Sequence, residues 1–363
     1  MSLRPEHLDS IGFLSADMAR ELMPAEDLTD FVMVEGQLLM DAGQSERGWH
    51  RLSTMLRCPQ LWAYLYHPKL KDDPRVAHVR HPRSPPLIRG SLYHLGLAHY
   101  YRRVMAQQRG EDPDVFHSPM RAIELGARAE DNKPWIEVDE TTWWADFVDE
   151  AKAAVHAYAA HFQAYERWEI LAVEQQLRLF VPTDGWSIDP AITRYMMTLR
   201  LDLCYWDRTG YVHLPDHKTR GRRDLRQQRG YARSGQFQAL RLLGEQHFRQ
   251  FFGGVLTNYA TFKHDPKERR DGAAGDYAFS FERVTPPVLP WRLQTFGDTI
   301  RYGEWQEQAL VSTDMDPYRF PKVMIENGVC EHRYGPCPGA YLCDYGPDGI
   351  PAGVQPLLGP FKN

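Results

Sequence analysis

Residues 214–219 read Leu-Pro-Asp-His-Lys-Thr, and a run ending Thr198-Leu-Arg-Leu-Asp-Leu-Cys-Tyr-Trp206 comes just before them. Between the two lies Asp207-Arg-Thr-Gly210, a turn sequence. Both runs carry the apolar alternation of strands, so the segment reads as a hairpin. Side chains alternate along a strand, which places Asp216 and Lys218 on one face and turns Asp202 away from Leu199, Leu201 and Leu203. Paired strands bring Asp202 toward Asp216.

Two carboxylates held together repel unless they are protonated or bridged by a cation. A hard divalent ion such as Mg²⁺ or Mn²⁺ takes oxygen ligands from one or two acids and keeps waters. A lysine beside such a pair can orient a water or neutralise charge on a phosphate. The constellation suits phosphodiester hydrolysis. A bare Asp-x-Lys also arises by chance as a surface salt bridge, so the surrounding chain has to decide.

Upstream, Ser53 is a candidate N-cap for a helix over Ser-Thr-Met-Leu-Arg-Cys-Pro-Gln-Leu-Trp-Ala-Tyr-Leu-Tyr66. Residues 68–89 read as a loop rich in Pro, His and Arg. A helix follows from Gly90 to near Gly110, and a longer one from Thr141. Ile170–Val181 reads as a strand. Downstream, Ser234–Phe248 reads as a helix, the runs at 254–263 and 277–284 as strands, and the run from Pro286 as a long helix. This order predicts an α/β fold with one central mixed sheet flanked by helices. The expected organisation is an N-terminal extension over 1–48, a main domain over 49–345 with a cysteine-rich segment at 328–345, and a Gly/Pro-rich tail over 346–363.

The chain of 363 residues is 43% apolar and 25% charged, with a formal charge of −5. That balance gives no global attraction to nucleic acid or anionic lipid, so a polyanion site has to be a local patch. Apolar runs are too short to span a bilayer, and Met-Ser-Leu-Arg-Pro-Glu-His-Leu-Asp-Ser10 lacks the order of a secretory signal. A cytoplasmic protein without a membrane partner is the expectation. Five cysteines without a signal argue against a disulfide framework. Cys330, Cys337 and Cys343 fall in one turn-rich stretch, and metal binding is the first reading of that bias.

Pro215-Asp-His-Lys218 resembles the PD-(D/E)XK nuclease signature, and the chain from about Ser53 to Tyr345 resembles the RecB-like branch of that superfamily. This branch includes CRISPR-adaptation exonucleases, AddB-type helicase–nuclease subunits and phage exonucleases. Its Gly-x-x-x-His motif is similar to Gly90-Ser-Leu-Tyr-His94, its strand aspartate to Asp202, and its Asp-x-Lys-Thr to Asp216–Thr219. Its helical glutamine resembles Gln236, with Gln238 a competing register. Leu240 or Leu242 then stands where the branch carries a tyrosine. The resemblance implies a restriction-endonuclease-like core. It also implies Mg²⁺ or Mn²⁺ on His94, Asp202, Asp216 and the backbone carbonyl of His217, with Lys218 and Gln236 completing the catalytic set. Taken alone, His94 reads first as a core histidine bonded to backbone, the reading kept for His99. Glu174 reads as a supporting acid or a surface charge.

Iron–sulfur members of the branch carry one cysteine before the nuclease core and three after it. By resemblance, Cys58, Cys330, Cys337 and Cys343 would hold a [4Fe–4S] cluster joining the N- and C-terminal segments. Zinc or plain buried thiols are the other readings, and Cys204 lies outside the set. After Lys218 comes a basic run, in which Arg220, Arg222, Arg223, Arg226, Arg229 and Arg233 suit a phosphate backbone and Tyr231 a stacked base. A solvated loop is the alternative. A second basic run at 263–270 is diluted by acids. The resemblance implies a metal-dependent DNA exonuclease acting on single strands or DNA ends, alone or with a recombination, repair or CRISPR-adaptation partner. A catalytically inactive DNA-end-binding protein is the alternative.

Overall fold

The computed structural model describes residues 3–24, 31–40, 47–76, 79, 85–131, 141–162, 167–181, 195–221, 230–263 and 278–322. In the C-terminal segment it describes 331–332, 335–337, 339 and 342–343. A helix α1 (Ala16–Leu22), capped by Ser15, precedes a small hairpin of β1 (Phe31–Val34) and β2 (Gln37–Met40). Glu35 and Gly36 close that hairpin with φ of 49° and 80°, the geometry of a two-residue turn whose twist suits paired strands. The helices α2 (Trp49–Arg57), α3 (Pro59–Tyr66), α4 (Pro85–Arg109), α5 (Pro119–Asp131) and α6 (Thr141–Phe162) follow.

The central sheet has five strands in chain order: β3 (Glu169–Val181), β4 (Tyr195–Trp206), β5 (Val212–Arg220), β6 (Phe252–Lys263) and β7 (Ala278–Val284). All neighbours are antiparallel except β5 and β6, which are parallel and joined through α7 (Gly235–Phe248). This is the mixed sheet with flanking helices that the order of elements implies. One face packs against α4, α5 and α6 through Leu97, Tyr101, Ile123, Val155, Leu203 and Phe262. The other packs against α7 and the long helix α8 (Pro290–Val311) through Leu199, Leu214, Phe237, Leu243 and Ile300. Burying each such side chain is worth about 1.5–3 kcal/mol.

Three local expectations are corrected. Ser53 is no N-cap: it lies inside α2, its hydroxyl donates to the His50 carbonyl at 3.0 Å, and Gly48 occupies the cap. The expected single helix is split at Cys58, which is extended (φ −156°, ψ 103°) because Pro59 disfavours helical geometry in the residue before it. Helix α4 begins at Pro85, so residues 85–89 of the expected loop are helical; proline in a first turn leaves no needed donor unmade. The N-terminal extension also contributes to the core: Leu8, Leu14, Ala19 and Leu22 are buried with Leu177, Leu199 and Phe248. Among the described residues, no helix is long and apolar enough to cross a membrane.

Candidate active site

The β4–β5 hairpin pairs only at Tyr205 with His213 and Trp206 with Val212. Asp207 locks the turn, its Oδ1 accepting from the backbone N–H groups of Thr209 and Tyr211, each at 2.9 Å. Beyond His213 the ladder stops. Pro215 has no N–H to offer it, and the next free donor, His217 N–H, is taken by the Asp202 side chain at 2.6 Å. Extending the paired register sets position 202 opposite 216. The opening between the strands is thus lined by the two acids.

Helix α4 delivers the histidine. Gly90 and His94 are four apart and share a helix face. A Cβ on Gly90 would stand 3.0 Å from the Thr219 hydroxyl, so glycine lets the helix approach β5 beside Lys218. His94 Nδ1 then lies 3.6 Å from Asp202 Oδ2.

The edge strand adds a group that pattern reading left undecided. Glu174 falls between Val173, paired with Leu203, and Gln175, paired with Leu201, and so faces Asp202. Its φ is 52°, a left-handed conformation that costs a side-chain-bearing residue about 1–2 kcal/mol. Both strands change core here. Val173 and Leu203 belong to the α4–α6 side, whereas Leu177, Leu199 and Leu201 belong to the α7–α8 side. A flat strand keeps residues an even number apart on one face. Among the described residues, His94, Glu174 and Asp202 are the one group of His, Cys, Asp and Glu whose ligand atoms all lie within 4.8 Å of one another. This donor set of one imidazole and two carboxylates suits Mg²⁺ or Mn²⁺.

Asp216 is buried and sits beside this trio in a different company. Lys218 Nζ approaches its Oδ2 at 2.7 Å, and Gln236 Nε2 donates to its Oδ1 at 2.8 Å. Of the two candidate glutamines, Gln236 is the one that reaches Asp216, whereas Gln238 is buried and donates to the Ala232 carbonyl. Leu240 is packed in the core. Burial, with the charge of Asp216 nearby, holds the Asp202 carboxyl above its usual range against the pull of His94. Burial alone would lower the Lys218 ammonium, but Asp216 and Asp202 outweigh it and hold its pKa above the ordinary value.

Behind the acids lies a polar network. His217 is buried, and burial followed by the repulsion of His94 pushes its imidazole well below the ordinary range, so the ring is neutral. Its Nδ1 lies 3.4 Å from Asn258 Nδ2. Asn258 and Arg283 both donate to the Tyr158 hydroxyl at 3.1 Å, and that hydroxyl meets the Tyr101 hydroxyl at 2.7 Å. With its two acceptor sites used, Tyr158 donates to Tyr101.

The basic run divides. Arg222, Arg223, Arg226 and Arg229 lie outside the described residues. Arg233 is exposed. Arg220, expected at a phosphate channel, is buried instead: it is the last residue of β5, donates to Thr261 at 2.8 Å and Glu282 at 2.7 Å, and covers the Tyr259 ring at 4.2 Å. Tyr231, expected as a base platform, turns inward: its ring centroid lies 5.5 Å from Lys218 Nζ and 5.7 Å from the Phe237 ring.

Three of the four cysteines expected at a cluster share one apolar corner. Cys58 and Cys337 are buried with Leu61, Tyr64 and Leu342, and Cys343 packs on them with its sulfur 3.9 Å from the Tyr64 hydroxyl. Burial pushes the Cys343 thiol up to about 11. Cys330 lies outside the described residues, so these contain no closed four-sulfur site. A single zinc ion would set its thiolates about 3.8 Å apart; the three described sulfurs do not gather within 4.8 Å of one another. Cys204 is buried in the sheet core, away from this corner. His99 is buried, with its ring bonded to backbone at both nitrogens.

A strand–turn–strand pair of acids, a lysine two residues on and a mixed sheet with flanking helices define the PD-(D/E)XK class. A family model described as PD-(D/E)XK nuclease superfamily matches residues 49–295, and the chain belongs to that superfamily. Its members are generally nucleases and use divalent metal ions. No curated protein matches the chain significantly.

Proposed function

We propose that the protein is a metal-dependent deoxyribonuclease, an exonuclease of single strands or DNA ends. The observation that carries this reading is the meeting of His94, Glu174 and Asp202 within 4.8 Å beside the Asp216–Lys218 ion pair. His94, Glu174 and Asp202 would hold Mg²⁺ or Mn²⁺, with Asp216 reaching the same ion from the neighbouring strand. A divalent ion bound there supplies Lewis-acid stabilisation of charge on the phosphoryl group.

The chain's own residues divide the remaining work. Lys218 stays cationic and orients a water for in-line attack. Gln236 fixes Asp216 through one oxygen, leaving the other to Lys218. The His217 N–H fixes Asp202. The water oxygen forms a bond to phosphorus and gives up a proton to solvent, while the bond from phosphorus to the 3′ oxygen breaks and that oxygen takes up a proton from solvent. The products carry a 5′-phosphate and a 3′-hydroxyl. Arg233, with the arginines of 222–229, would meet the strand's backbone.

Cys58, Cys330, Cys337 and Cys343 would hold a [4Fe–4S] cluster that staples the C-terminal segment to the junction of α2 and α3. The sharing of one apolar corner by Cys58, Cys337 and Cys343 supports this assignment. Action within a recombination, repair or CRISPR-adaptation complex is part of the same reading.

End-labelled single- and double-stranded DNA, digested with Mn²⁺ or Mg²⁺ by anaerobically purified protein, tests it. Cleavage that Asp216→Ala and Lys218→Ala abolish is the expected result. No cleavage of any substrate by folded wild type would replace this reading with a non-catalytic DNA-end-binding protein.

A further inference from the structure

A second concave region lies away from the acids. A cavity of about 420 Å³ opens at the sheet edge where β3 begins, lined by Trp168, Glu169, Trp206 and three arginines, Arg20, Arg167 and Arg208. Gln108 also lines it, fourteen residues past His94 on α4, which at about 1.5 Å per residue is about 21 Å along the helix. The cavity is therefore separate from the metal group.

Its walls are fixed by the fold. Gln108 accepts from Ile170 N–H at 2.9 Å and donates to the Trp168 carbonyl at 2.7 Å. The Trp168 indole stacks on Tyr205 with ring centroids 3.7 Å apart. The Trp206 indole N–H donates to the Leu14 carbonyl at 2.9 Å. Arg20 is held by Asp17 and by Glu169, the one carboxylate of the lining. Arg167 and Arg208 differ: both are exposed, and their side chains make no hydrogen bond or ion pair among the described residues. Three guanidiniums thus face one carboxylate, in a chain whose formal charge is −5. A positive patch set against the sign of the whole chain attracts an anion locally. Guanidinium forks match the oxygens of a phosphate with paired hydrogen bonds. The indoles add an apolar wall, and the volume falls in the range of small-molecule sites, about 300–1,000 Å³. A bare phosphate would leave that wall unused.

We propose that this cavity binds a nucleotide, its phosphate on Arg167 and Arg208 and its nucleoside against Trp168 and Trp206. The nucleotide is free or is one unit of a DNA strand, since both present the same phosphate and base. The proposal goes beyond the nuclease reading and does not depend on it.

The experiment is a set of calorimetric titrations at low salt in EDTA, where no divalent ion is present. The probes are deoxyadenosine 5′-monophosphate, deoxyadenosine, inorganic phosphate and a short oligodeoxythymidylate. The proteins are wild type, the double variant Arg167→Ala/Arg208→Ala, and Arg249→Ala/Arg319→Ala, which removes the same charge elsewhere on the surface. Wild type should bind the monophosphate, and the first double variant should bind it at least about tenfold more weakly. Deoxyadenosine and inorganic phosphate should each bind wild type at least about tenfold more weakly than the monophosphate does. The charge control should bind as wild type does, and all three proteins should melt alike. Binding of the oligonucleotide alone, lost in the first double variant, would assign the site to a unit of a strand.

A first double variant that binds both probes as wild type does would overturn the proposal. So would an equal loss in the charge control, inorganic phosphate that binds as tightly as the monophosphate, or wild type that binds neither nucleotide probe. Wild type that cuts no DNA with Mn²⁺ would remove the nuclease reading and leave this site standing.

Discussion

Two regions of this molecule bring acids or thiols together, and they do so by different means. The carboxylate centre is set by regular structure: Asp202, Asp216 and Lys218 by strands, His94 and Gln236 by helices, each close to a polar neighbour of the group. The cysteine corner is set by ends and turns: Cys58 sits at the break before Pro59, and Cys337 and Cys343 in a segment with two-residue strands. Ladders and helices fix ligand positions before any ligand arrives. Turn-borne ligands depend on the bound group for their final order, so binding energy there is folding energy. The first region should respond to mutation in rate, and the second in stability.

The sharpest way to break that contrast is to remove one proposed ligand from each region. Asp202→Asn should lower cleavage about a thousandfold while leaving the melting temperature near that of wild type, because asparagine can still accept from His217. Cys58→Ser should leave the intrinsic chemistry intact but lower the melting temperature, and a protein that carries about four irons in wild type should lose them. Rate assays, thermal melts and iron analysis read both. A Cys58→Ser variant with unchanged stability would place the corner among ordinary buried thiols.

A second comparison separates two arginines of one basic run. Arg220→Ala removes a buried cation from Thr261 and Glu282 and should cost about 3 kcal/mol of stability in a urea titration. Arg233→Ala should leave stability within about 0.5 kcal/mol and lower DNA affinity in a salt-dependent way.

A third concerns two histidines on α4. His94 is half-buried at the acids; His99 is buried, accepts from Met40 N–H at 3.2 Å and donates to the His117 carbonyl at 3.1 Å. Burial pushes the His99 imidazole down to about 4. Its folded pKa lies below the unfolded value of about 6.5, so the unfolded chain binds the extra proton between the two. Stability from this group is full above about pH 6.5 and falls as pH falls toward 4, by about 2 kcal/mol at pH 5. Urea titrations at pH 7.5 and 5, with His99→Gln as control, check the slope.

The smallest effect should come from the strained strand. Glu174→Gly and Glu174→Ala both remove the carboxylate and should both lose activity, but glycine tolerates a φ of 52° and should be about 1 kcal/mol more stable than alanine. Equal stability would mean that the backbone does not hold this angle in solution.

Much of the centre was legible because period two and period four are rigid rules. Asp216 and Lys218 share a face by alternation, and Gly90 and His94 share one by helical spacing. Glu174 was left open because a left-handed residue breaks the alternation on which strand reading depends. Its signal was the shift itself: apolar residues are continuous over 170–173 and then recur at Leu177 and Leu179. Arg220 was misplaced because a charge run looks uniform in sequence, while burial ends residue by residue at the end of β5. The β1–β2 hairpin was missed although Glu35-Gly36 between apolar runs is a turn signal, and α5 was missed altogether. Ser53 looked like a cap because it precedes an apolar stripe, but the stripe begins earlier, at Trp49.

The most direct test of the central claim is a calorimetric titration of Mn²⁺ into wild type, His94→Ala, Glu174→Gln and Asp202→Asn in the absence of DNA. If these three side chains share one ion, wild type binds Mn²⁺ and each substitution weakens it at least about tenfold. Wild type that takes up no Mn²⁺, or three variants that bind it as wild type does, would contradict the assignment of a metal centre to this opening in the sheet.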